Sequence, residues 1–273
     1  MQQVSKPPAR WPWLAVAVVV GAAGWWLLRP ATPGQQAPAT AETATPEGVL
    51  PPPAAAGSDA PGIQHPLEPL PEAADEAIPA LADSDAFVFG ELEALAGDPS
   101  VLGLLIREHL VQRLVVMVDN LTEPRVQTSV LALRSPAGQY EVVEGEGAAV
   151  ADLQANTARY APYVAAFTGA DPQRLANTYR RLYPLFQQAY AEIGGPDAYF
   201  NDRLVQVIDH LLQAPPPPPA AALVRDERGR WRYVDPALES ASVGHKALMR
   251  LSAEQQAAVK QQLRALRRAL ARP

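Results

Sequence analysis

Arg113, Asp119 and Asn120 stand at the end of an apolar stretch, and Asn156, Arg159 and Tyr160 follow further along the chain. A carboxylate next to an amide can accept both prongs of a guanidinium and still orient a ligand amide or a sugar hydroxyl. The same pair can equally end a helix and bind an internal arginine that fixes two elements together, and the sequence leaves both readings open. A second group, Tyr179, Arg180, Arg181, Tyr183 and Tyr190, interleaves rings with guanidiniums in a way that suits stacking on sugars or bases. At helical spacing such residues also divide into a core face and a solvated face. Glu141, Glu192 and Asp202 raise the chemistry of glycan hydrolysis, which needs a protonated acid and a second carboxylate at a set separation. Nothing in the sequence brings those three together.

Other chemistries lack their residues. His65, His109, His210 and His245 are far apart and have no ligand-pair spacing, and there is no cysteine, so no metal site and no disulfide are expected. Gly145-Glu146-Gly147 is too short to be a phosphate or dinucleotide loop, and no serine sits in a nucleophile elbow. No cofactor is therefore expected. A net charge of −6 argues against a nucleic-acid binder.

The elements that must position these residues read as a mostly α domain with one or two short hairpins. Asp83-Ser84-Asp85 are good caps for a first helix to about Ala96. After Asp98-Pro99-Ser100, apolar residues from Val101 to Leu121 recur every three or four positions and predict one long amphipathic helix. The β-branched cluster Val115-Val116-Val118 keeps a strand open as the alternative for residues 113–121. Val130–Leu133 and Tyr140–Val143, around Ser135-Pro136-Ala137-Gly138, suggest a small hairpin. Helices follow over Asp152–Phe167, interrupted at Pro162, and from Asp171-Pro172 to Ile193 with a kink at Pro184, closed by Gly194-Gly195-Pro196. The face of that second helix is Leu175, Tyr179, Leu182, Phe186, Ala189 and Ile193. Asp197–Leu212 gives another amphipathic helix, and Leu223–Arg225 with Trp231–Tyr233 a second hairpin. Ser252 with Gln255 is a capping box before a last helix to about Ala271. Its stripe of Val259, Leu263, Leu266 and Leu270 runs beside Lys260, Arg264, Arg267, Arg268 and Arg272, which could face water or dock on an acidic partner or anionic lipid.

Upstream of this domain the chain has a different character. Trp11–Leu28 is an uncharged apolar run, near the roughly 17–25 residues a membrane span needs, with Trp11, Trp13, Trp25 and Trp26 at its ends. Lys6 and Arg10 precede it, whereas between Arg29 and Arg107 there is no Lys or Arg and there are twelve carboxylates. The positive-inside bias puts residues 1–10 in the cytoplasm and everything after the span outside it. A cleaved signal peptide, with Gly21-Ala22-Ala23-Gly24 as the small-residue region, is the alternative, and it places the domain in the same compartment. Residues 29–82 are rich in Pro, Ala and acidic groups and too poor in large apolar ones to offset their ordering entropy, so they read as a disordered linker. Residues 83–273 are then a periplasmic α-rich domain on a bacterial inner membrane.

Val118-Asp119-Asn120-Leu121, Tyr183-Pro184-Leu185-Phe186, Phe200-Asn201-Asp202-Arg203-Leu204 and Tyr233-Val234-Asp235-Pro236 resemble segments of a bacterial domain-of-unknown-function family of single-pass anchored proteins. The resemblance spans most of residues 84–272. It implies placement in the cell envelope and brings no activity and no catalytic residues. The expectation is a tethered adaptor that binds an envelope protein, with a cell-wall glycan-binding module or hydrolase as the alternative.

Overall fold

A computed structural model describes residues 62–67, 78–96, 99–145, 148–195, 197–227 and 229–271. The expected span over 11–28 and most of the expected linker lie outside the described residues, as does Arg272. Among the described residues no helix is long and apolar enough to cross a membrane.

The domain is mostly helical, with a four-stranded antiparallel sheet. Its helices are α1 (Asp85–Leu95), α2 (Leu110–Asp119), α3 (Leu153–Thr168), α4 (Pro172–Gly194), α5 (Phe200–Leu212), α6 (Pro236–Ser240), α7 (Val243–Met249) and α8 (Ala253–Leu270). Helix α8 is the hub, packed on α3, α4 and α5, while α2 lies against α4 and α5. Its stripe of Val259, Leu263, Leu266 and Leu270 is buried. Each such side chain contributes roughly 1.5–3 kcal/mol on leaving water. The capping box at Ser252 and Gln255 is formed in both directions. Asp171 caps α4 through Gln173 and Arg174 with Pro172 at the first helical position, and Gly195 ends that helix at φ 89, a conformation open to glycine.

Several expectations change. The long helix over 101–121 is two elements: a 3-10 turn at Pro99–Leu104, then α2. The break is at His109, which is left-handed at φ 53, and the Asp85 carboxylate accepts the His109 and Leu110 N–H groups at 2.7 and 2.8 Å. Asp85 therefore caps α2 rather than the helix it begins. Residues Leu110–Asp119 are helical, which removes the strand alternative there. Pro162 does not interrupt α3, which runs through it, and Ile193 falls at the exposed end of α4, beyond the core. The helix expected from Asp197 starts at Phe200.

The first hairpin forms later than expected, between β1 (Val142–Glu144) and β2 (Ala149–Ala151). Leu131, Ala132 and Leu133 are buried as loop, joined to the core through an isolated bridge from Leu133 to Leu105. The second hairpin, β3 (Ala222–Arg225) with β4 (Trp231–Tyr233), is as expected. The two hairpins join where Val150 pairs with Ala222. Ala149, Leu223, Trp231 and Tyr233 turn inward and are buried. On the other face, Val143 stands opposite Val150, Val150 opposite Ala222, and Val234 bonds through its N–H to the Ala222 carbonyl at 2.9 Å. Because paired residues point to one side of a sheet, these form an apolar row across all four strands, with Val224 beside it. Val143 is 53%, Val224 51% and Val234 54% exposed.

Candidate functional site

The polar side chains concentrate along α5. Its amphipathic spacing buries Phe200, Leu204, Val207, Ile208 and Leu211, and turns Asp202, Arg203, Gln206, Asp209, His210 and Gln213 toward a groove of about 530 Å³. The opposite wall is Thr122 and Glu123, and one end is closed by Gln64 and His65.

Arg203 is the organising cation. Its Nε donates to Asp119 Oδ1 at 2.6 Å, one Nη2 reaches the Asp119 carbonyl and Thr122 Oγ1 at 2.7 and 2.8 Å, and Nη1 reaches Gln206 at 2.8 Å. A guanidinium with planar, forked donors can bridge a carboxylate and a helix-terminal carbonyl at once. Asn120 completes the end of α2 by donating to the Val116 carbonyl at 2.8 Å. Asp119 therefore meets an internal arginine, and that arginine is Arg203 rather than Arg113 or Arg159.

At the far end of the groove, His210 and His245 stack with centroids 4.0 Å apart and planes within 6°. His245 Nε2 lies 2.7 Å from the His210 carbonyl, so that nitrogen carries the proton and donates. His210 Nε2 lies 2.8 Å from Ser242 Oγ, which already accepts the His245 N–H as the cap of α7. A neutral His210 taking the Ser242 proton closes this network. Burial first, then His245 and Arg203, lower the His210 pKa below its ordinary value and favour that neutral form. The separation suits a nucleophile and its base. Ser242 is nevertheless buried at 8% exposure and does not line the groove, whereas His210 does.

The other residues singled out by the sequence serve the frame. Arg113 donates to the carbonyls of Glu108 at 2.9 Å, Leu131 at 3.2 Å and also Ser129, pinning the apolar loop to α2. Asn156 bonds Glu141 through both its N–H and C=O, and the Asp152 carbonyl as well. Arg180 reaches Asn177 at 3.0 Å and the Ala269 carbonyl, tying α4 to the end of α8. Tyr179 packs among Tyr183, Phe186 and Phe200, and Tyr183 donates to Gln187 Oε1 at 2.7 Å. Of Glu141, Glu192 and Asp202, only Asp202 lines the groove.

Arg159 and Tyr160 belong to a second cluster. Arg159 Nη2 bonds the Pro136 and Gly138 carbonyls, each at 3.2 Å. Beside it, Tyr140, Tyr160 and Tyr233 surround Arg250, all four nearly inaccessible. The Arg250 guanidinium lies 5.4 Å from the Tyr140 ring and 6.0 Å from the Tyr233 ring, and it hydrogen-bonds Tyr233. Burial pushes the Tyr140 and Tyr160 phenols above their ordinary pKa, so both are protonated; the Tyr140 ring lies against Arg250, and the Tyr160 ring lies 5.8 Å from the Arg159 guanidinium. The sequence reading missed Arg203 and Arg250. A charged residue set between Met249 and Leu251, inside an apolar run, was the available signal for the latter.

Among the described residues no three His, Asp or Glu side chains converge as a metal site would require. A model of a family described as a protein of unknown function, DUF3014, matches residues 110–267. That interval contains α5 with the Thr122 and Glu123 side of its groove, both hairpins and the Arg250 cluster, but not Gln64 and His65. No curated protein and no solved structure matches the chain.

Proposed function

The chain belongs to the DUF3014 family, and we propose that it is a tethered interaction domain of the bacterial cell envelope. In this reading residues 11–28 hold it in the inner membrane with the N-terminus cytoplasmic, the part of residues 29–82 that is not packed on the domain supplies reach, and residues 83–273 engage a protein partner in the periplasm. The observation that supports an interaction role is the outer face of the sheet. Val143, Val150, Ala222 and Val234 form an apolar row with Val224 beside it, bordered by Arg232 opposite Val224, and Val143, Val224 and Val234 are more than half exposed. An antiparallel sheet ordinarily presents polar residues on its wet face, and contiguous apolar surface marks places where other molecules bind.

A photo-crosslinking residue placed at Val143 or Val224 of the full-length protein in intact cells tests this. A single stoichiometric protein adduct, lost in Val143→Asp/Val224→Asp while the domain keeps its thermal transition, is the expected outcome. Absence of any protein adduct at either position overturns the reading. Placement is tested separately: protease should reach the domain only after the outer membrane is opened.

The groove favours a second reading, a cell-wall glycan module. Gln206 and Gln213 line it with amide groups of the kind that bond sugar hydroxyls, beside Asp209, whose two oxygens are paired with Arg267. Muropeptides captured by a crosslinker at Gln206, and not at Val143, would select it.

A further inference from the structure

Residues 62–67 precede α1 by a stretch of chain, yet they are seated on the first turn of α5 by four main-chain hydrogen bonds. The Asp202 carboxylate accepts the Gln64 N–H on Oδ2 at 2.9 Å and the His65 N–H on Oδ1 at 2.7 Å. Asn201 Nδ2 donates to the His65 carbonyl at 2.8 Å, and the Tyr199 hydroxyl accepts the Leu67 N–H at 2.9 Å. Pro66 has no N–H, so every main-chain donor from Gln64 to Leu67 has a partner. Leu67 also packs against the core, whereas Ile63 just before it is 56% exposed.

The receiving residues are prepared for this. Asn201 is buried at 0% exposure and its amide is shared with the Leu270 carbonyl at 3.2 Å, which fixes it to the end of α8. The Tyr199 ring lies 5.6 Å from the Tyr183 ring. Asp202 is in the first turn of α5, yet both of its oxygens are spent on a segment more than a hundred residues away. A carboxylate that catches two successive N–H groups, next to an amide that takes the following carbonyl, reads main chain rather than side chains, as peptide-binding sites do.

We propose that Tyr199, Asn201 and Asp202 form a clamp for the main chain of a bent peptide, and that its resident ligand is the chain's own Gln64–Leu67 segment, which bends at Gln64 and His65. Bound there, the segment is a strap: Gln64 and His65 line the α5 groove at its Asp202 end, so its release opens that end. The inference stands on these contacts and is independent of the envelope reading. In that reading, however, the strap moves the point where the linker meets the domain from Asp83 back to Gln64, which shortens the free reach.

Hydrogen exchange on the full chain tests it. The amides of Gln64, His65 and Leu67 are expected to be protected in the unaltered protein. In Asp202→Ala, protection at Gln64 and His65 should fall by about tenfold or more, as loss of charge-assisted bonds implies. The Ile208 and Val259 amides should stay as slow as before, reporting an intact core. Tyr199→Phe should release Leu67 alone. As a second arm, a full-length variant with residues 62–67 replaced by Gly and Ser should bind a synthetic peptide of residues 60–69, and the same variant carrying Asp202→Ala should not. Unprotected strap amides in the unaltered protein, protection that survives Asp202→Ala, or peptide binding indifferent to Asp202 would each overturn the clamp.

Discussion

Arg203 and Arg250 bring the same cation into one domain and meet opposite surroundings. Arg203 is held by a carboxylate, a carbonyl, a hydroxyl and an amide at the edge of an open groove, with 18% of its side chain still exposed. Arg250 is 5% exposed, and tyrosines make up its cage. The first arrangement uses directed bonds in a place where water can replace what is lost. The second combines tyrosine rings with a hydrogen bond to Tyr233 in a place where water cannot. An ionic group near a cavity is therefore not by itself a sign of chemistry: Arg203 binds α5 to the end of α2, and Arg250 joins the sheet to the segment between α7 and α8.

The contrast is broken most severely at the cage. Arg250→Ala should cost about 3 kcal/mol or more, because it removes a buried, bonded cation and leaves a cavity lined by phenols. Arg250→Met, which keeps the stem's packing, should recover part of that, and denaturant melts of both variants measure the difference. Next in size is Gly244→Ala, at about 2 kcal/mol. An added Cβ would stand 2.3 Å from Leu211 Cδ2 and 2.8 Å from the Leu121 carbonyl, wedging α7 off the turn that presents Thr122 to Arg203. At the groove, Arg203→Ala and Asp119→Ala should each cost about 1–2 kcal/mol, and the double variant should cost less than their sum. Additivity within a few tenths would mean that the pair does not act as a unit.

The smallest effect concerns pH. His210 has a folded pKa below its ordinary value of 6.5, so the unfolded chain takes up that proton first as acid is added. The stability it contributes is complete above about pH 6.5 and declines as pH falls through the window down to the depressed folded value. His210→Gln should flatten that part of the stability curve. An unchanged slope would place the titration elsewhere.

Much of the helical frame was legible because its signals are local. Ser252 and Gln255, Asp171 with Pro172, and Gly195 each announce a helix end within four residues, and the α8 stripe needs only its own spacing. The second hairpin was legible too, from two short runs about a tight turn. The first was misplaced because Val130–Leu133 has the composition of a strand, while what holds it as loop is Arg113, some sixteen residues back, and Leu105. The candidate site was legible only by residue type. Asp119 announced that it would take an arginine, but Arg203 is 84 residues further on, and many arginines were eligible. The strap was hidden more deeply, since its segment has a linker's composition and only the receiving side chains reveal that it is bound.

The joint between the two hairpins has a kinetic consequence. Strands β2 and β3 are neighbours in space, yet α3, α4 and α5 all lie between Val150 and Ala222 in the chain. Each hairpin closes locally, within a few residues, but their union must wait until three helices have packed and brought the ends together. The row of outer valines, which needs both halves, is thus expected to be the last surface completed on folding. Mutations at the Val150–Ala222 seam should change the unfolding rate much more than the folding rate.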